Sequence, residues 1–485
     1  MDKKYYPTIG LEIHAELKTA TKMFCSCKND PDEEKPNINI CPVCMAHPGT
    51  LPVANKKAIK NVIKVGLAIN GEIADFTEFD RKNYFYPDIP KGYQISQYKY
   101  PIVSGGHLAD FDVTRVHLEE DTANNKHRDG DTSASINAGF SLIDFNRAGV
   151  PLMELVTEPK TFEGSDEESA KSASTFAKEL QLILKYLGVS DAHMEKGEMR
   201  VEANISVSPD KNVLGTKVEV KNLNSFKSVE KAIKYELDRM VDLHKIGKES
   251  EIVQETRGWN EAKQITYSQR KKESSHDYRY FPDPDLPKMK LHEAFDIAEL
   301  KKELPELPVA KRARYKNDFG IKDEDVEVYI NDFELGKWFE KVADILKSLE
   351  NIRIASNYIT SDYLGIKKNN LEARLPSVEN FAELVNLVRD NKISSRVAKD
   401  ILGMIVISDE SPMKITEEKN LLQKNDEGAV KTIIEKIIAE NPQIVAIYKG
   451  GKENVIMSLV GKVIKESNGS ANPQMVIKIL KELLQ

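Results

Sequence analysis

The sequence predicts an α+β protein whose strands are concentrated in its first 290 residues. Residues 10–17 and 199–221 alternate apolar and polar side chains with the period of two that is typical of half-buried strands. After Lys290 the aromatic and proline-rich loops disappear, and apolar residues recur at helical spacing. We therefore expect three regions: a sheet domain over 1–290, a helical domain over 291–406 and a small helical tail over 407–485.

Length and composition agree with a globular protein of several domains. The 485 residues are 40% hydrophobic and 30% charged, and the formal net charge is −7. Nucleic acid could therefore bind only at a local basic patch, such as Lys227–Lys234 or Arg270–Lys272. Without an apolar leader or a bilayer-spanning run, we expect a cytoplasmic protein with no membrane partner.

The first predicted strand places Glu12, His14 and Glu16 on one face and its apolar residues on the other. Carboxylates and an imidazole on one rigid surface suit a divalent metal ion, although a plain polar strand face has the same pattern. Glu120 belongs to a run of three acids, residues 119–121, which repel one another unless a cation compensates. Together with Glu12 and His14, these acids could complete a magnesium site that also uses substrate phosphates.

The four cysteines of the chain form a single cluster. They read C-x-C, thirteen residues, then C-x-x-C, at positions Cys25, Cys27, Cys41 and Cys44. In a reducing compartment this spacing predicts a zinc ion held by four thiolates rather than disulfides. Four thiolates leave no open coordination position, so the zinc would be structural; four free cysteines are the alternative.

Two further segments could line a binding site. In the loop over residues 79–97, Arg81 and Lys82 beside Tyr84 could hold an anion and stack a planar ligand, or the loop could simply brace the sheet. The predicted hairpin over 199–221 presents two rows of polar side chains, which could line a cleft or form a solvent-exposed ladder of ion pairs. These rows comprise Arg200, Glu202, Asn204, Lys217, Glu219 and Lys221.

The predicted helices supply scaffold. A capping box at Ser165–Glu168 opens one helix, which ends at Gly188. The others in the first region are expected over 52–70 and 225–245, and the tail is expected to contain helices over 430–439, 442–448, 455–467 and 473–484. No phosphate-binding glycine loop of the P-loop or Rossmann type is present, so ATP would have to bind on a sheet with acids and metal.

Several motifs together resemble one family, the B subunits of the aspartyl/glutamyl-tRNA amidotransferases. The resemblance runs along the whole chain, and its motifs occur in the family's order. They are residues 10–17, 79–88, 117–121, 144–152, 201–206, 221–226 and 277–282.

The resemblance implies a fold and a reaction. The N-terminal domain would be a glutamine-synthetase-like α+β cradle that uses ATP and magnesium to phosphorylate the side-chain carboxylate of Glu-tRNA(Gln) or Asp-tRNA(Asn). Ammonia made from glutamine by a partner amidase (A) subunit would then displace the phosphate. A small C subunit would complete the assembly, and the helical tail would grip the tRNA.

The same resemblance suggests roles for individual residues. Glu12, His14 and Glu120 are expected to be magnesium ligands. Contacts with phosphate and with the acceptor end are expected from Arg147, Arg200, Glu202 and Lys217, an expectation that rests on the polar face of the hairpin. Contacts with ATP are expected from Arg81, Lys82 and Tyr84, because of the residue types in the loop over 79–97. Zinc would be structural. A non-catalytic, zinc-stabilised tRNA-binding subunit is the alternative, but it gives no reason for Glu12, His14 and Glu120 to gather.

Overall fold

The computed structural model describes residues 4–128, 140–271, 278–423, 427–467, 471 and 473–484. The chain divides into two compact units, residues 1–308 and 309–485. The first combines a large sheet with helices, and in the second the regular elements of the described residues are helical. The predicted α+β class is confirmed, while the predicted boundaries at residues 290 and 406 stay predictions.

The main sheet of the first unit has eleven strands among the described residues, and all its neighbours are antiparallel except β14 and β15. In spatial order the central path is β16 (Ile265–Lys271), β15 (Glu255–Asn260), β14 (Val218–Leu223), β13 (Met199–Ser208), β1 (Tyr6–Glu16), β11 (Pro151–Thr157), β8 (Phe111–Glu120), β6 (Val103–Ser104) and β2 (Glu72–Ile73). Two short strands pair beside this path, β12 (Lys160–Thr161) with β1 and β7 (His107–Leu108) with β8.

Smaller sheets border the main one. Their strands are β9 (Asn124–Arg128) with β10 (Phe140–Asp144), β17 (Phe281–Pro282) with β4 (Asp80–Asn83) and β5 (Tyr93–Ser96), and β18 (Met289–Lys290) with β3 (Phe76–Thr77). The predicted hairpin over 199–221 is confirmed, since β13 and β14 pair antiparallel.

One face of the sheet is covered by helices. They are α1 (Lys56–Ala68), α2 (Asp166–Tyr186) and α3 (Phe226–Lys245), followed by the short α4 (Leu291–Ala294) and α5 (Ile297–Lys302). The predicted capping box is present: the Ser165 hydroxyl accepts from the backbone N–H of Glu168, and the Glu168 carboxylate accepts from that of Ser165. Gly188, with φ +65°, follows the end of α2 in the left-handed region that favours glycine.

The core lies between these helices and the apolar face of β1. Ile9, Leu11 and Ile13 are fully buried there, as their alternation predicts. Their polar neighbours along β1 are thereby directed to the opposite face of the sheet, the one that carries the ionisable side chains. The chemistry of that face therefore rests on a rigid central strand.

Ile13→Ala is expected to destabilise the first unit by about 2–5 kcal/mol, because it leaves a cavity at a site with no exposed surface. Urea unfolding followed by tryptophan fluorescence and circular dichroism would measure the change. Ile13→Val is the matched control, with an expected loss of about 0.5–1.5 kcal/mol. Equal stability of the alanine variant and the wild type would contradict the central position of β1 in the core.

The second unit contains α6 (Pro308–Arg314), α7 (Asp323–Asn331), α8 (Phe333–Leu346), α9 (Leu349–Asn357), α10 (Leu364–Asn369), α11 (Val378–Arg389), α12 (Ser395–Ser408), α13 (Pro412–Glu418), α14 (Glu427–Glu440), α15 (Pro442–Lys449), α16 (Ile456–Glu466) and α17 (Pro473–Leu484). An aromatic cluster, with Tyr329 stacked on Phe339 at 4.2 Å, fills its first part. The last helices pack around Ile434, Leu459 and Leu480. Of the helices described, none is both long and apolar enough to cross a membrane.

Candidate functional site

A row of ionisable side chains crosses the four central strands on the polar face of the sheet. The strand register opposes Arg200 to His14, His14 to Glu154, and Glu154 to His117. Directly opposed residues of antiparallel strands point to the same face, so these side chains lie side by side. Long-range pairing of β13, β1, β11 and β8 thus assembles a site from residues that are far apart in sequence.

His14 lies among three carboxylates. Its Nε2 atom is 3.3 Å from Glu154 Oε2, 3.6 Å from Glu119 Oε1 and 3.9 Å from Glu12 Oε1. Burial disfavours the charged imidazolium, but the hydrogen bond with Glu154 and the three negative charges outweigh it and raise the pKa of His14 to about 9. The surroundings of His14 therefore attract positive charge strongly.

Glu154 links two imidazoles at the centre of this row. Its Oε2 atom is 3.5 Å from His117 Nε2 as well as close to His14. Burial alone would raise the pKa of Glu154, but the charges and hydrogen bonds of His117 and His14 hold it well below its ordinary value. Glu154 is therefore ionised at the centre of the face.

Three overlapping groups of these side chains have ligand atoms within 4.8 Å of one another and could hold a cation. They are Glu12, His14 and Glu154; His117, Glu119 and Glu154; and Glu12, Glu202 and Glu219. Since Glu12 and Glu154 each belong to two groups, either carboxylate could bridge two cations. We call the set of these seven residues the carboxylate cluster.

The donor set of the carboxylate cluster fits a hard divalent cation, which prefers carboxylate oxygens. Burial, followed by the charges of Glu154 and Glu202, raises the pKa of Glu12 to about 7, although the charges of His14 and Lys221 oppose the shift. Among the described residues, His117 Nδ1 and Asn204 Oδ1 are buried without a hydrogen-bond partner. Such unpaired polar atoms suit a site built to receive a polar ligand.

Glu120 lies apart from the carboxylate cluster, although the sequence motifs predicted it as the third magnesium ligand. Its Oε2 atom is 2.7 Å from Lys91 Nζ, and its Oε1 atom accepts from the backbone N–H of Ile95 at 2.9 Å. Successive residues of a strand point to opposite faces, so β8 directs Glu119 towards His14 and Glu120 away from it. The structure therefore brings Glu12 and His14 together with Glu119 and Glu154 rather than with Glu120.

Two arginines flank the same face. Asp121 Oδ2 lies 3.1 Å from Arg200 Nη2 and 3.7 Å from Arg147 Nε. Arg147 also donates hydrogen bonds to the backbone carbonyls of Thr122 and Ala123. Burial opposes ionisation of Asp121, but the two guanidinium groups lower its pKa below the ordinary value. The predicted Arg147 and Arg200 are thus brought together, with Asp121 between them.

Arg81 and its neighbour Lys82 have different surroundings. Arg81 Nε is 2.8 Å from Asp283 Oδ2 and its NH2 is 3.0 Å from Asp285 Oδ2, while its guanidinium lies 4.4 Å from the centre of the Tyr93 ring. These contacts fasten the chain around β17 to β4 and β5. Arg81 therefore holds these strands together, which agrees with the alternative interpretation that the loop over 79–97 braces the sheet.

Lys82, in contrast, is close to the carboxylate cluster. Burial disfavours its charge, but Glu119, Tyr280 and Glu154 outweigh this and raise the pKa of Lys82 above its ordinary value. Burial also raises the pKa of Tyr84, against the opposing charge of Lys82. Of the three residues predicted to contact ATP, Lys82 and Tyr84 therefore lie near the cluster.

The hairpin contributes Glu202 but not Lys217. Lys217 is exposed and precedes β14, whereas Lys221 Nζ lies 2.7 Å from Glu202 Oε2 and 3.9 Å from Glu219 Oε2. Glu219 in turn accepts from the Thr256 hydroxyl at 2.8 Å. The polar face of the hairpin thus lines the cluster, and Lys221 is the basic side chain that it places beside Glu202 and Glu219.

Five residues of this face were given no individual site role from the sequence, although residues 119 and 121 belong to the acidic run and Glu219 to the polar rows of the hairpin: Glu119, Glu154, His117, Asp121 and Glu219. Partial signals existed, because Glu154 is an acid among apolar neighbours and Glu119 alternates with Glu120 along one strand. Asp277, the first residue of the last family motif, lies outside the described residues.

The four cysteines converge as their spacing predicts. Cys44 Sγ is 3.8 Å from Cys41 Sγ and 4.0 Å from Cys27 Sγ, and all four sulfur atoms lie within 4.8 Å of one another. Sulfur ligands about 2.3 Å from a tetrahedral zinc ion are about 3.8 Å apart, so the spacing fits. The cluster could therefore hold a metal ion.

The cysteines of the cluster differ in protonation. Hydrogen bonding with Cys44 and burial raise the pKa of Cys25, and burial raises the pKa of Cys27, so Cys44 is the cysteine that the cluster favours as a thiolate. A hydrogen bond from Cys25 lowers the pKa of Cys44 to about 5 against the effect of burial, with help from the Cys41 backbone N–H and the charge of Lys22. The intervening loop is anchored to the buried Asn146, whose Oδ1 atom accepts from the backbone N–H groups of residues 38 and 39. The cysteine cluster therefore supports the turn that carries Arg147.

Comparison with known proteins places the chain in a family. Residues 7–296 match the family model described as the GatB/GatE catalytic domain, and residues 337–484 match the one described as the GatB domain. The chain belongs to the GatB family.

Curated GatB relatives match over nearly the whole chain. The protein of Persephonella marina is 42% identical over 99% of this chain and 100% of its own length, and that of Thermotoga maritima is 42% identical over 99% of each. Both are named as the B subunit of aspartyl/glutamyl-tRNA(Asn/Gln) amidotransferase. The Sorghum bicolor relative, 41% identical over 98% of this chain and 86% of its own, is named as the chloroplastic/mitochondrial B subunit of glutamyl-tRNA(Gln) amidotransferase. The resemblance inferred from the motifs is confirmed.

Proposed function

We propose that this chain is the subunit of a tRNA-dependent amidotransferase that activates the side-chain carboxylate of Glu-tRNA(Gln), Asp-tRNA(Asn) or both by phosphorylation. The observation that carries the proposal is the carboxylate cluster, in which Glu12 and Glu154 are shared between groups able to hold a cation. The GatB relatives supply the substrate class through their names. The product is the corresponding glutaminyl- or asparaginyl-tRNA.

The reaction has two steps. A carboxylate oxygen of the aminoacyl side chain attacks the γ-phosphorus of ATP, forming an acyl phosphate while the bond between the β- and γ-phosphates breaks and ADP leaves. The ammonia nitrogen then attacks the acyl carbon, phosphate leaves with the electron pair of the C–O bond, and a proton is lost from nitrogen. A carboxylate is a poor electrophile. Phosphorylation converts it to an acyl phosphate, whose acyl carbon ammonia can attack to form the amide.

The residues present fit magnesium as the cation. Glu12, His14 and Glu154 would hold one ion, and Glu202 and Glu219 would join Glu12 around a second. Bound magnesium would neutralise charge on the transferring phosphoryl group. The carboxylate oxygens are held in place by strand pairing, so no large rearrangement of the sheet is required.

Fixed cations of the chain itself complete the site. Lys82, whose raised pKa keeps it charged beside Glu119 and Glu154, is suited to contact the γ-phosphate. Arg147 and Arg200 are held by Asp121 at one side of the face and are suited to the acceptor end or the phosphate. Attraction to all three would orient an anionic substrate over the cluster.

Partners and the structural metal complete the proposal. Ammonia comes from an amidase (A) subunit that hydrolyses glutamine, and a small C subunit joins the two in a heterotrimer. Helices of residues 407–485 contact the tRNA body. Zinc bound by Cys25, Cys27, Cys41 and Cys44 stabilises the loop that supports the turn at Asn146.

An isotope experiment tests the activation step. We expect that Glu-tRNA(Gln) with both γ-carboxylate oxygens labelled with ¹⁸O will yield, with ATP and ammonium, one labelled oxygen in inorganic phosphate per amide formed. Mass spectrometry of the phosphate released by the assembled enzyme measures this, and free glutamate without tRNA is the control.

Other outcomes would favour the other interpretations. Unlabelled phosphate, or amide formation by the partner subunits without this chain, would favour a non-catalytic tRNA-binding subunit. Equal activity on free glutamate would favour a third possibility, a glutamine-synthetase-like ligase that acts on a small acid without tRNA.

A further inference from the structure

Four tyrosines form a continuous row of rings beside the carboxylate cluster. Tyr84 lies 6.3 Å from Tyr278, Tyr278 lies 6.2 Å from Tyr280, and Tyr280 stacks on Tyr98 at 4.6 Å with an interplanar angle of 15°. We call these residues the tyrosine row. They come from two segments, residues 84–98 and 278–280, that meet at the small sheet of β17, β4 and β5.

The fold holds the tyrosine row in place. The Asn83 Nδ2 atom donates to the backbone carbonyls of Tyr278 at 3.2 Å and of Arg279 at 2.9 Å. Arg279 has φ +43°, a left-handed conformation that a residue with a side chain keeps only where its surroundings impose it. Phe281, which follows the row, pairs with Arg81 of β4. The rings are therefore presented by a constrained segment.

The middle of the tyrosine row, Tyr278 and Tyr280, lies next to the candidate active site. Lys82 Nζ lies 5.3 Å from the centre of the Tyr278 ring. Burial, with the charges of Glu119 and Glu154, raises the pKa of Tyr280 to about 12 against the opposing effect of Lys82. The row and the carboxylate cluster thus belong to one electrostatic environment.

The outer end of the row is open to solvent. Tyr98 is 58% exposed even though its ring is stacked on Tyr280. At the opposite end of the row, Phe85 directly follows Tyr84 and is 90% exposed. Aromatic rings that run from solvent towards a cationic and metal-binding site are suited to a ligand with several planar groups and a phosphate backbone.

We propose that the tyrosine row stacks the unpaired 3′ nucleotides of the aminoacylated tRNA and thereby places the aminoacyl side chain over the carboxylate cluster. This inference rests on the proposed function. Every tRNA ends in an unpaired 3′ stretch with the amino acid esterified to its last nucleotide, so single-stranded bases must approach any site that modifies that amino acid. Stacking on aromatic rings tolerates any base, as every base has a π face.

A single adenine would need only one of these rings. The row instead offers four rings in series, with the exposed Tyr98 two rings along the series from Tyr278, the ring next to Lys82. An extended series matches successive nucleotides of a strand better than the base of one ATP. The adenine of ATP is the competing occupant that the experiment must exclude.

The experiment compares Tyr98→Leu and Tyr280→Leu with Tyr98→Phe and Tyr280→Phe in the assembled enzyme. Equilibrium binding is measured with intact tRNA(Gln) and with tRNA(Gln) lacking its three 3′-terminal nucleotides, and the KM for ATP is measured in amide formation. Each leucine variant is expected to bind intact tRNA about 5-fold to 100-fold more weakly. The phenylalanine variants keep the stacking surface and should bind like the wild type.

Truncated tRNA should bind equally to all variants, and the KM for ATP should stay unchanged in the Tyr98 variants, whose ring lies at the exposed end of the row. Equal weakening for truncated and intact tRNA would overturn the proposal, as would a raised KM for ATP with unaltered tRNA binding. Since binding is measured without turnover, its result is independent of the isotope experiment. Labelled phosphate together with unaffected tRNA binding would refute the proposed stacking of tRNA on the tyrosine row and leave the proposed reaction intact.

Discussion

Glu154→Gln is expected to lower both amide formation and tRNA-dependent ATP cleavage by about 10²-fold to 10³-fold in the assembled enzyme. Glu154 is the central carboxylate of the cluster, 3.3 Å from His14 Nε2, 3.5 Å from His117 Nε2 and 3.6 Å from Arg115 NH2. Glutamine keeps the shape of the side chain but removes the charge that a cation requires. The loss should therefore fall on the chemical step.

Steady-state assays with Glu-tRNA(Gln), ATP and ammonium measure the effect, and a separate assay measures tRNA binding. The matched control is Glu158→Gln, four residues along the chain, where an exposed carboxylate accepts from the Thr114 hydroxyl. We expect wild-type activity from the control and retained tRNA binding in both variants. Normal activity of the Glu154 variant would contradict the assignment of phosphoryl transfer to the carboxylate cluster.

Cys44→Ser is expected to reduce bound zinc from one ion per chain to nearly none and to make the loop between Cys25 and Cys44 sensitive to protease. Cys44 is the buried member of the four cysteines, and its lowered pKa favours the thiolate at neutral pH. Apparent zinc-binding energies of about 10–16 kcal/mol in small zinc domains show how strongly such a metal can order a loop. Metal analysis and limited proteolysis measure both effects.

Activity should fall with the metal because the same loop holds Asn146 next to Arg147. A displacement of about 1 Å in a positioning group can lower the rate about 10²-fold, which sets the scale of the expected loss. Ser26→Ala, an exposed position between two of the cysteines, is the control and should retain zinc and activity. Full zinc content in the Cys44 variant would contradict the four-thiolate site.

The sequence by itself determined the local features of this protein. The alternation along residues 10–17 predicted β1 and its buried face, and the capping box predicted the start of α2. The cysteine spacing predicted the convergence of the four thiols. The strand alternation and the capping box depend on neighbours within a few residues, where period and propensity restrict the chain, and the four cysteines lie within one short segment, residues 25–44.

Only the tertiary structure decided which side chains meet on the polar face. The register of β8 against β11 directs Glu119, and not Glu120, towards His14, because a shift of one residue exchanges the two faces of a strand. Ion pairs with distant acids assign Arg81 to bracing and leave Lys82 beside the carboxylates. Such pairings join segments that are far apart along the chain, and no local pattern in the sequence encodes them.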